Sequence, residues 1–92
     1  MKKIRIKYGP IISKKTKKNE EEIILCGETF QDLLNLLFKK YKNNIKEYFL
    51  DSDEKNLSPS IIVFINNKLV RDLKFKLKDQ DEILIMPNIE GG

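Results

Sequence analysis

The first residues of the chain alternate between apolar and charged side chains. Ile4, Ile6 and Tyr8 are separated by Arg5 and Lys7. This is the period of a strand that places one face on a core and the other in water. We therefore predict that the chain begins with a β-strand.

The residues that follow predict a hairpin. Gly9 and Pro10 favour a turn or bulge, and residues 14–22 form a polar run without periodicity, which we expect to be an exposed loop. Apolar character returns at residues 23–25. A second strand is expected there, antiparallel to the first, because the Lys and Glu blocks of the polar run are compatible with that pairing.

A helix is predicted to follow Thr29. Thr29 and Asp32 have the spacing of a capping box, in which each side chain accepts a hydrogen bond from the other residue's backbone N–H. Apolar residues then recur with the helical period, and lysines occupy the last turn, where the helix dipole favours cations. The apolar stripe consists of Phe30, Leu33, Leu34, Leu37 and Tyr41. We expect this stripe to face the core, to carry no chemistry, and to end near residues 41–44.

The second half of the chain predicts further strands. Residues 47–59 are polar and predict a crossing loop with a short helical turn. Residues 61–65 are apolar and predict a strand that is buried on both faces. Asn66–Asn67 predicts a tight turn into a strand at residues 68–70, because asparagine tolerates positive φ. Residues 73–77 predict either a short strand or a packed loop.

The last strand is predicted to end at a proline. Residues 79–81 turn the chain into the apolar run 82–86, and Pro87 then removes a ladder donor. The order is β-β-α-β-(β)-β, and the first and last strands can lie parallel at the sheet centre. This is an α+β chain with the β-grasp arrangement, a mixed sheet of four to five strands with one main helix across it. We expect one domain at residues 1–87 and a flexible tail at residues 88–92.

Charge and composition narrow the choice of partner and compartment. The net charge is +4, but the basic residues are mostly lysine and no aromatic or zinc-finger motif for reading bases is present. We therefore do not expect direct recognition of nucleic acid, and we interpret the charge as a property of solubility and steering. The single Cys26 excludes an intrachain disulfide, and neither a signal sequence nor a membrane span is evident. A cytoplasmic protein without a membrane role is expected.

Conventional enzyme sites are excluded by composition. The chain has no histidine, which removes Ser-His and Cys-His pairs, and its four glycines form neither a P-loop nor a dinucleotide fingerprint. Asp79, Asp81 and Glu82 are close in sequence, but we interpret them as solvated turn residues rather than as a cation site. Cys26 is interpreted as an incidental small residue. We predict no catalytic residue and no bound metal or cofactor.

The candidate chemistry lies at the C-terminus. Gly91 and Gly92 follow directly beyond the last predicted strand, so a folded domain would present them on a short tail. A carboxylate is a poor electrophile and needs a leaving group such as AMP before its acyl group is transferred. Residues without Cβ let the tail enter a partner's ATP site and leave the acyl carbon open to attack. We expect Gly92 to be the modified residue, presented by Pro87, Asn88, Ile89, Glu90 and Gly91.

Two segments resemble the β-grasp sulfur carriers, most closely the ubiquitin-related modifiers of tRNA thiolation. Residues 77–85, LKDQDEILI, are similar to that family's L-x-D-Q-D-x-[IV]-L-F. Residues 58–66, SPSIIVFIN, are similar to its R-P-G-I-L-V-L-I-N. Residues 47–50 also look like its E-L-F segment, and the similarity runs loosely from the predicted helix to Gly92.

The resemblance implies a co-substrate rather than an enzyme. Gly92 would be adenylated with ATP and thiocarboxylated by an activating enzyme that has sulfurtransferase activity, while the chain itself binds no cofactor. Sulfur would then pass to a tRNA thiolase acting on the wobble uridine. Gly92 would also become attached to lysines of target proteins.

Some residues depart from that family and leave alternatives open. Glu90 stands where the family commonly has histidine, and the Asn67–Asp72 hairpin is shorter than usual. Pro87 is similar to the Pro-Pro of the small subunit of molybdopterin synthase, although Asn88 breaks the pair. That subunit is the alternative function, and a noncovalent β-grasp adaptor is a third. The Lys14–Lys18 run would suit an acidic partner or tRNA, but we interpret it as part of a solvated hairpin.

Overall fold

A five-stranded mixed sheet forms the centre of the protein. The computed structural model describes residues 1–42 and 45–88. Its elements are β1 Lys2–Tyr8, α1 Pro10–Thr16, β2 Glu20–Leu25, α2 Phe30–Lys40, α3 Lys46–Phe49, β3 Ile61–Ile65, β4 Lys68–Leu69 and β5 Glu82–Pro87. The strand order is β2-β1-β5-β3-β4, with β1 and β5 parallel and the other neighbours antiparallel. The α+β prediction with a parallel central pair is confirmed.

One face of the sheet packs against the apolar side of α2. Every second side chain of β1 is buried, in agreement with the predicted alternation. The predicted stripe of α2 is buried, except that Tyr41 is only half-buried. Phe38 joins the core and its ring centroid lies 5.9 Å from that of Phe49. This contact joins the end of α2 to α3, the short helical turn that the sequence predicts.

The capping box at the start of α2 is present as predicted. Thr29 Oγ1 accepts the Asp32 backbone N–H at 3.2 Å, and the Asp32 carboxylate accepts the Thr29 N–H at 3.0 Å. Hydrogen bonds from the backbone of Glu28 and Thr29 hold the pKa of Asp32 below its ordinary value. At the other end, α2 stops at Lys40 with Tyr41 as its C-cap, close to the predicted end.

The connection between β1 and β2 is a helix, so the predicted hairpin loop is wrong. Pro10 occupies the first turn of α1, where its missing N–H costs no hydrogen bond. Ile12 and Thr16 are buried, and they lie four residues apart on one helical face. Lys17 then ends the helix in the left-handed conformation, with φ 62°. α1 has only two buried positions on its inner face. Two positions are too few to show a helical period in a run of lysines, and the sequence therefore did not predict this helix.

Three other predictions are tested at β3 and after it. The positive φ values of Asn66 and Asn67, 51° and 70°, confirm the tight turn between β3 and β4. The outer side chains of β3, Ile62 and Phe64, are only half-buried, so the prediction of burial on both faces is wrong. Residues 73–77 contain no named strand and form the packed loop that the sequence allowed.

The acidic turn before β5 is not uniformly solvated. Asp79 is exposed and accepts the Lys3 backbone N–H at 2.7 Å. Asp81, in contrast, is 6% exposed, and it accepts hydrogen bonds from Asn66 Nδ2 and the Lys78 backbone N–H, both at 2.7 Å. The interpretation of Asp81 as a solvated residue is therefore wrong. Its carboxylate ties the β5 turn to the β3–β4 turn.

Four side chains converge on Glu21 at the end of the sheet where β1 ends. The hydroxyls of Tyr8 and Tyr41 donate to Glu21 Oε2 at 2.5 and 2.6 Å. Lys40 and Lys18 both pair with Oε1, Lys18 at 3.5 Å. The Glu21 side chain is only 5% exposed. Tyr8 belongs to β1, Lys18 to the connection between α1 and β2, and Lys40 and Tyr41 to the end of α2. The Glu21 carboxylate of β2 therefore joins α2 to β1 and β2.

Hydrogen bonding sets the ionisation of this cluster. Burial alone would raise the pKa of Glu21, but hydrogen bonds from Lys40, Tyr41 and Tyr8 outweigh it and lower the pKa from 4.5 to about 2. Burial and the hydrogen bond to Glu21 raise the pKa of Tyr41 to about 12. The same two causes raise the pKa of Tyr8. Glu21 is therefore an anion, and both tyrosines are neutral donors, at any physiological pH.

We expect acid to weaken the fold through Glu21. Because its pKa is lower in the folded state, its stabilising contribution is complete above about pH 4.5 and is lost as the pH falls towards about 2. The substitution Glu21→Gln should lower the free energy of unfolding near pH 7 by about 1–2 kcal/mol, since water partly screens the two lysines. It should also flatten the acid dependence. Urea unfolding over a pH series measures both effects.

The neighbouring Glu22 supplies a control for this experiment. Its carboxylate is 52% exposed and lies 3.9 Å from the Arg5 guanidinium. An exposed pair of this kind contributes less than about 1 kcal/mol, so Glu22→Gln should change stability little. Equal acid profiles for the two variants would contradict the role of Glu21.

Candidate functional site at the root of the C-terminal tail

The C-terminal tail leaves the domain at the end of the sheet where β1 also ends. β5 runs parallel to β1 with Ile85 opposite Tyr8, and Pro87, its last residue, lies opposite Ile61 of β3. The strand therefore ends at Pro87, as predicted. On the other side, the Gly9 backbone N–H donates to the Ile85 carbonyl at 2.7 Å. The root of the tail thus lies between the start of α1 and the start of β3.

Gly9 permits the close approach of α1 to β5. A Cβ atom at this position would lie 2.9 Å from the Ile85 carbonyl oxygen, 3.0 Å from Pro87 Cδ and 3.1 Å from Met86 Sδ. Contacts this short would force the strand or the helix to shift. The glycine is required here for space rather than for its conformation, since its φ is −75°. The sequence marks Gly9 only as a turn residue.

Asn88 is fastened to the loop that precedes β3. Its backbone N–H donates to the Ser60 carbonyl at 2.7 Å, and its side-chain Nδ2 donates to the Pro59 carbonyl at 3.0 Å. Both the backbone and the side chain of the first residue beyond β5 are therefore held. The predicted division of the chain at residue 88 stays a prediction, because the following residues lie outside the described part of the chain.

Arg71 in turn holds the loop that receives Asn88. Its guanidinium donates to the carbonyls of Leu57, Ser58 and Ile61 at 3.1, 3.2 and 3.2 Å. The planar fork of arginine suits several acceptors at once, whereas lysine presents a single ammonium. Sequence reasoning missed Arg71, because a lone arginine after β4 gives no sign that it contacts carbonyls 10 to 14 residues earlier.

An apolar patch lies on the outer face of the sheet beside the root. Phe64 is paired with both Leu84 and Leu69, and Ile62 is paired with Met86. Leu69 is 62% exposed and Leu84 36% exposed, while the other three are half-buried. We call these five residues the outer-face patch. Large contiguous apolar surfaces often mark sites of interaction with other molecules, and this patch is therefore a candidate for such a site.

Other features of the described residues concern metal ligation, membrane spans and the single cysteine. In residues 1–42 and 45–88, no three potential metal-ligating side chains are grouped to hold an ion. Within the same ranges, no helix is long and apolar enough to cross a membrane. Cys26 is an exposed free thiol. Of the predicted site residues, Pro87 and Asn88 lie at the root, and the others lie outside the described residues, namely Ile89, Glu90, Gly91 and Gly92.

Comparison with known sequences identifies the family. The model of the ThiS family matches residues 8–92. Ubiquitin-related modifier 1 of Homo sapiens is 36% identical over 67 residues, which cover 66% of this chain and 64% of the human protein. The matched region thus spans less than two-thirds of the length of that relative.

Comparison with solved structures leads to the same family. Small archaeal modifier protein 1 of Methanosarcina acetivorans is 32% identical, with a TM-score of 0.78 and coverage of 100% of this chain and 98% of that one. Its counterpart from Haloferax volcanii has a TM-score of 0.81 at 19% identity, over 98% and 99% of the two chains, and shows the shared fold. The resemblance inferred from the sequence is therefore confirmed. The chain belongs to the ThiS family and is a ubiquitin-related modifier within the β-grasp sulfur-carrier superfamily.

Proposed function

We propose that this chain is a cytoplasmic sulfur carrier and protein modifier whose Gly92 is activated by a partner enzyme. Membership of the ThiS family supports the carrier role. The observation that carries the proposal is the root, where β5 and Asn88 are fixed to the domain only four residues before the C-terminal glycine. Four extended residues reach about 13–14 Å, enough to place Gly92 in a partner's ATP site while the domain stays outside.

The chemistry belongs to the activating partner, and Gly92 is the group acted upon. The Gly92 carboxylate attacks the α-phosphorus of ATP, and pyrophosphate leaves. A persulfide of the partner then attacks the acyl carbon of the adenylate and expels AMP, which forms an acyl disulfide. A second partner thiol cleaves the S–S bond, becomes part of a disulfide itself, and leaves sulfur on Gly92 as a thiocarboxylate. The chain binds no cofactor of its own, because the partner uses the ATP.

Two acceptors compete for the activated terminus in this proposal. A tRNA thiolase takes the sulfur for 2-thiolation of the wobble uridine, which the resemblance of residues 77–85 to the tRNA-thiolation modifiers supports. A lysine amine of a target protein attacks the same acyl carbon in the adenylate, expels AMP and loses a proton, which forms an isopeptide bond. Both outcomes depend on one carbon atom, so a change at Gly92 should remove them together.

The outer-face patch is our candidate for the surface that the activating enzyme contacts. Met86 belongs to this patch and is separated from Asn88 only by Pro87. A partner seated on the patch would therefore lie where the tail begins. The cores of protein interfaces are depleted in charged residues and enriched in aromatic residues and methionine, which Phe64 and Met86 provide here.

Gly92→Ala should block activation without affecting the fold. The added methyl group stands beside the reacting carbon and narrows the path into the ATP site. Mass spectrometry of protein co-expressed with its activating enzyme should show the oxygen-to-sulfur exchange in the wild type and none in the variant, with equal melting temperatures. Asn35→Ala, at an exposed position of α2 outside the predicted site, is the control, and it should retain the exchange. A wild-type terminus that never gains sulfur or AMP would contradict the carrier function.

Asn88→Ala should impair activation by releasing the root of the tail. It removes the hydrogen bond to the Pro59 carbonyl, so Gly92 would sample more directions before it enters the partner. Loss of one such hydrogen bond should raise the KM of the activating enzyme for the carrier roughly 3- to 10-fold. Pyrophosphate release measured against carrier concentration tests this, with Asn35→Ala on the exposed face of α2 as control. A changed melting temperature with an unchanged KM would argue against a positioning role.

Deletion of the gene should abolish 2-thiouridine at the wobble position of tRNA. The reason is that no other step in the proposal supplies sulfur to the thiolase. Mass spectrometry of digested tRNA measures the modified nucleoside, and a plasmid-borne copy of the gene serves as control. Intact thiolation together with lost molybdopterin would instead favour the alternative, a small subunit of molybdopterin synthase.

A further inference from the structure

Positive charge is concentrated in two segments of the chain. Residues 10–18 and 39–46 each contain four lysines and no acidic residue. The whole chain has 18 basic and 14 acidic residues, so these eight lysines leave ten basic and 14 acidic residues for everything else. The net charge of +4 therefore conceals a basic part and an acidic part.

Contacts bring the two basic segments together at the end from which the tail leaves. Lys18 and Lys40 share the Glu21 carboxylate. Lys15 and Lys46 line the same surface cleft, together with the acidic residues Glu47, Asp51 and Glu54. Lys46 is paired with Glu54 at 2.9 Å, while Lys15 Nζ lies 5.4 Å from the centroid of the Tyr48 ring. The first basic segment consists of α1 and the two residues after it, and Gly9 before α1 permits the close approach of this helix to β5. We call the eight the tail-end lysines: Lys14, Lys15, Lys17, Lys18, Lys39, Lys40, Lys42 and Lys46.

Several of these lysines remain available to a ligand. Lys14, Lys17, Lys39 and Lys42 are exposed, and none of them takes part in an ion pair within the described part of the chain. The charge of Glu21 is already balanced by two lysines and does not offset them. The exposed positive charge of these two segments therefore comes from the lysines without an ion pair, whereas Lys46 is neutralised by Glu54.

The chemistry of this surface suits phosphate better than protein. Lysine is depleted from the centres of protein interfaces, which use apolar, aromatic and arginine anchors, and the outer-face patch already provides such apolar surface elsewhere. Lysine binds the phosphates of nucleic acid without regard to sequence, through Coulomb attraction and counterion release. The lack of a motif for reading bases is consistent with contacts to the backbone alone.

We propose that the tail-end lysines bind the sugar–phosphate backbone of tRNA while the tail delivers sulfur. The inference rests on the proposed transfer of sulfur to tRNA and adds a direct contact between the carrier and the RNA. The contact holds the RNA without recognising its sequence, which agrees with the interpretation of the charge as steering. Because it is electrostatic, it weakens as the salt concentration rises.

Binding of folded tRNA to the full chain, measured by fluorescence anisotropy, tests this proposal. For about four phosphate contacts, the affinity of the wild type should fall roughly 100-fold between 50 and 200 mM salt. The quadruple variant K14Q/K17Q/K39Q/K42Q should lose most of the affinity and most of the salt dependence. The control K68Q/K74Q/K76Q/K78Q removes the same charge from exposed lysines elsewhere and should keep an affinity within about threefold of the wild type. Thermal unfolding verifies that both variants fold.

Three results would overturn the proposal. Equal losses in the two quadruple variants would show an effect of net charge alone. If the wild type shows no salt-dependent binding of tRNA, the proposed contact does not exist. Weaker binding of the activating enzyme by K14Q/K17Q/K39Q/K42Q, with tRNA binding unchanged, would assign the surface to an acidic protein.

The outcome is separable from that of the proposed function. If gene deletion leaves 2-thiouridine intact, sulfur transfer to tRNA is refuted whatever the binding experiment gives. If deletion abolishes 2-thiouridine but the chain does not bind tRNA, only the role of the tail-end lysines is refuted.

Discussion

The parallel pairing of β1 with β5 is the constraint on which the rest of the structure depends. Four residue pairs join the two strands, from Arg5 opposite Glu82 to Tyr8 opposite Ile85. Parallel strands end at the same edge, so the last strand must leave the domain where the first one ends. The tail root, the start of α1 and the Glu21 cluster are therefore neighbours because of this one pairing.

A hydrogen-bonded path holds Asn88, the last described residue, against the loop before β3. Arg71 holds the carbonyls of the loop before β3, and Asn88 donates to the next carbonyls of the same loop. Gly9 keeps the opposite side close-packed. Under the proposed function, movement at the root would lower the effective concentration of Gly92 at the partner's site, so the fixed Asn88 would favour its delivery.

Local patterns were sufficient where the determining contacts are local. The Thr29–Asp32 capping box and the Asn66–Asn67 turn each depend on residues within one turn of backbone, and the sequence predicted both. The predictions failed where the decisive contact is distant or the periodic signal is short. α1 has only two buried positions, so its period is short. The buried Asp81 accepts a hydrogen bond from Asn66, 15 residues earlier in the chain. Arg71 contacts a loop that no spacing rule connects to it. The two lysine-rich segments are likewise distant in sequence. They are brought together by Glu21, which pairs with Lys18 after α1 and with Lys40 at the end of α2.

The reach of the tail favours two weak surfaces over one strong one. Four residues beyond Asn88 extend about 13–14 Å, too little for Gly92 to serve an activating enzyme and an RNA-bound thiolase at once. Under the proposed function, the carrier therefore dissociates from one partner before it meets the other, and tight binding to either would slow the cycle. The outer-face patch acts only at contact, whereas the tail-end lysines act over about a Debye length, roughly 8–10 Å at physiological salt. In these proposals, the outer-face patch binds the activating enzyme during loading and the tail-end lysines bind tRNA during delivery, so the two partners would occupy the small domain in turn.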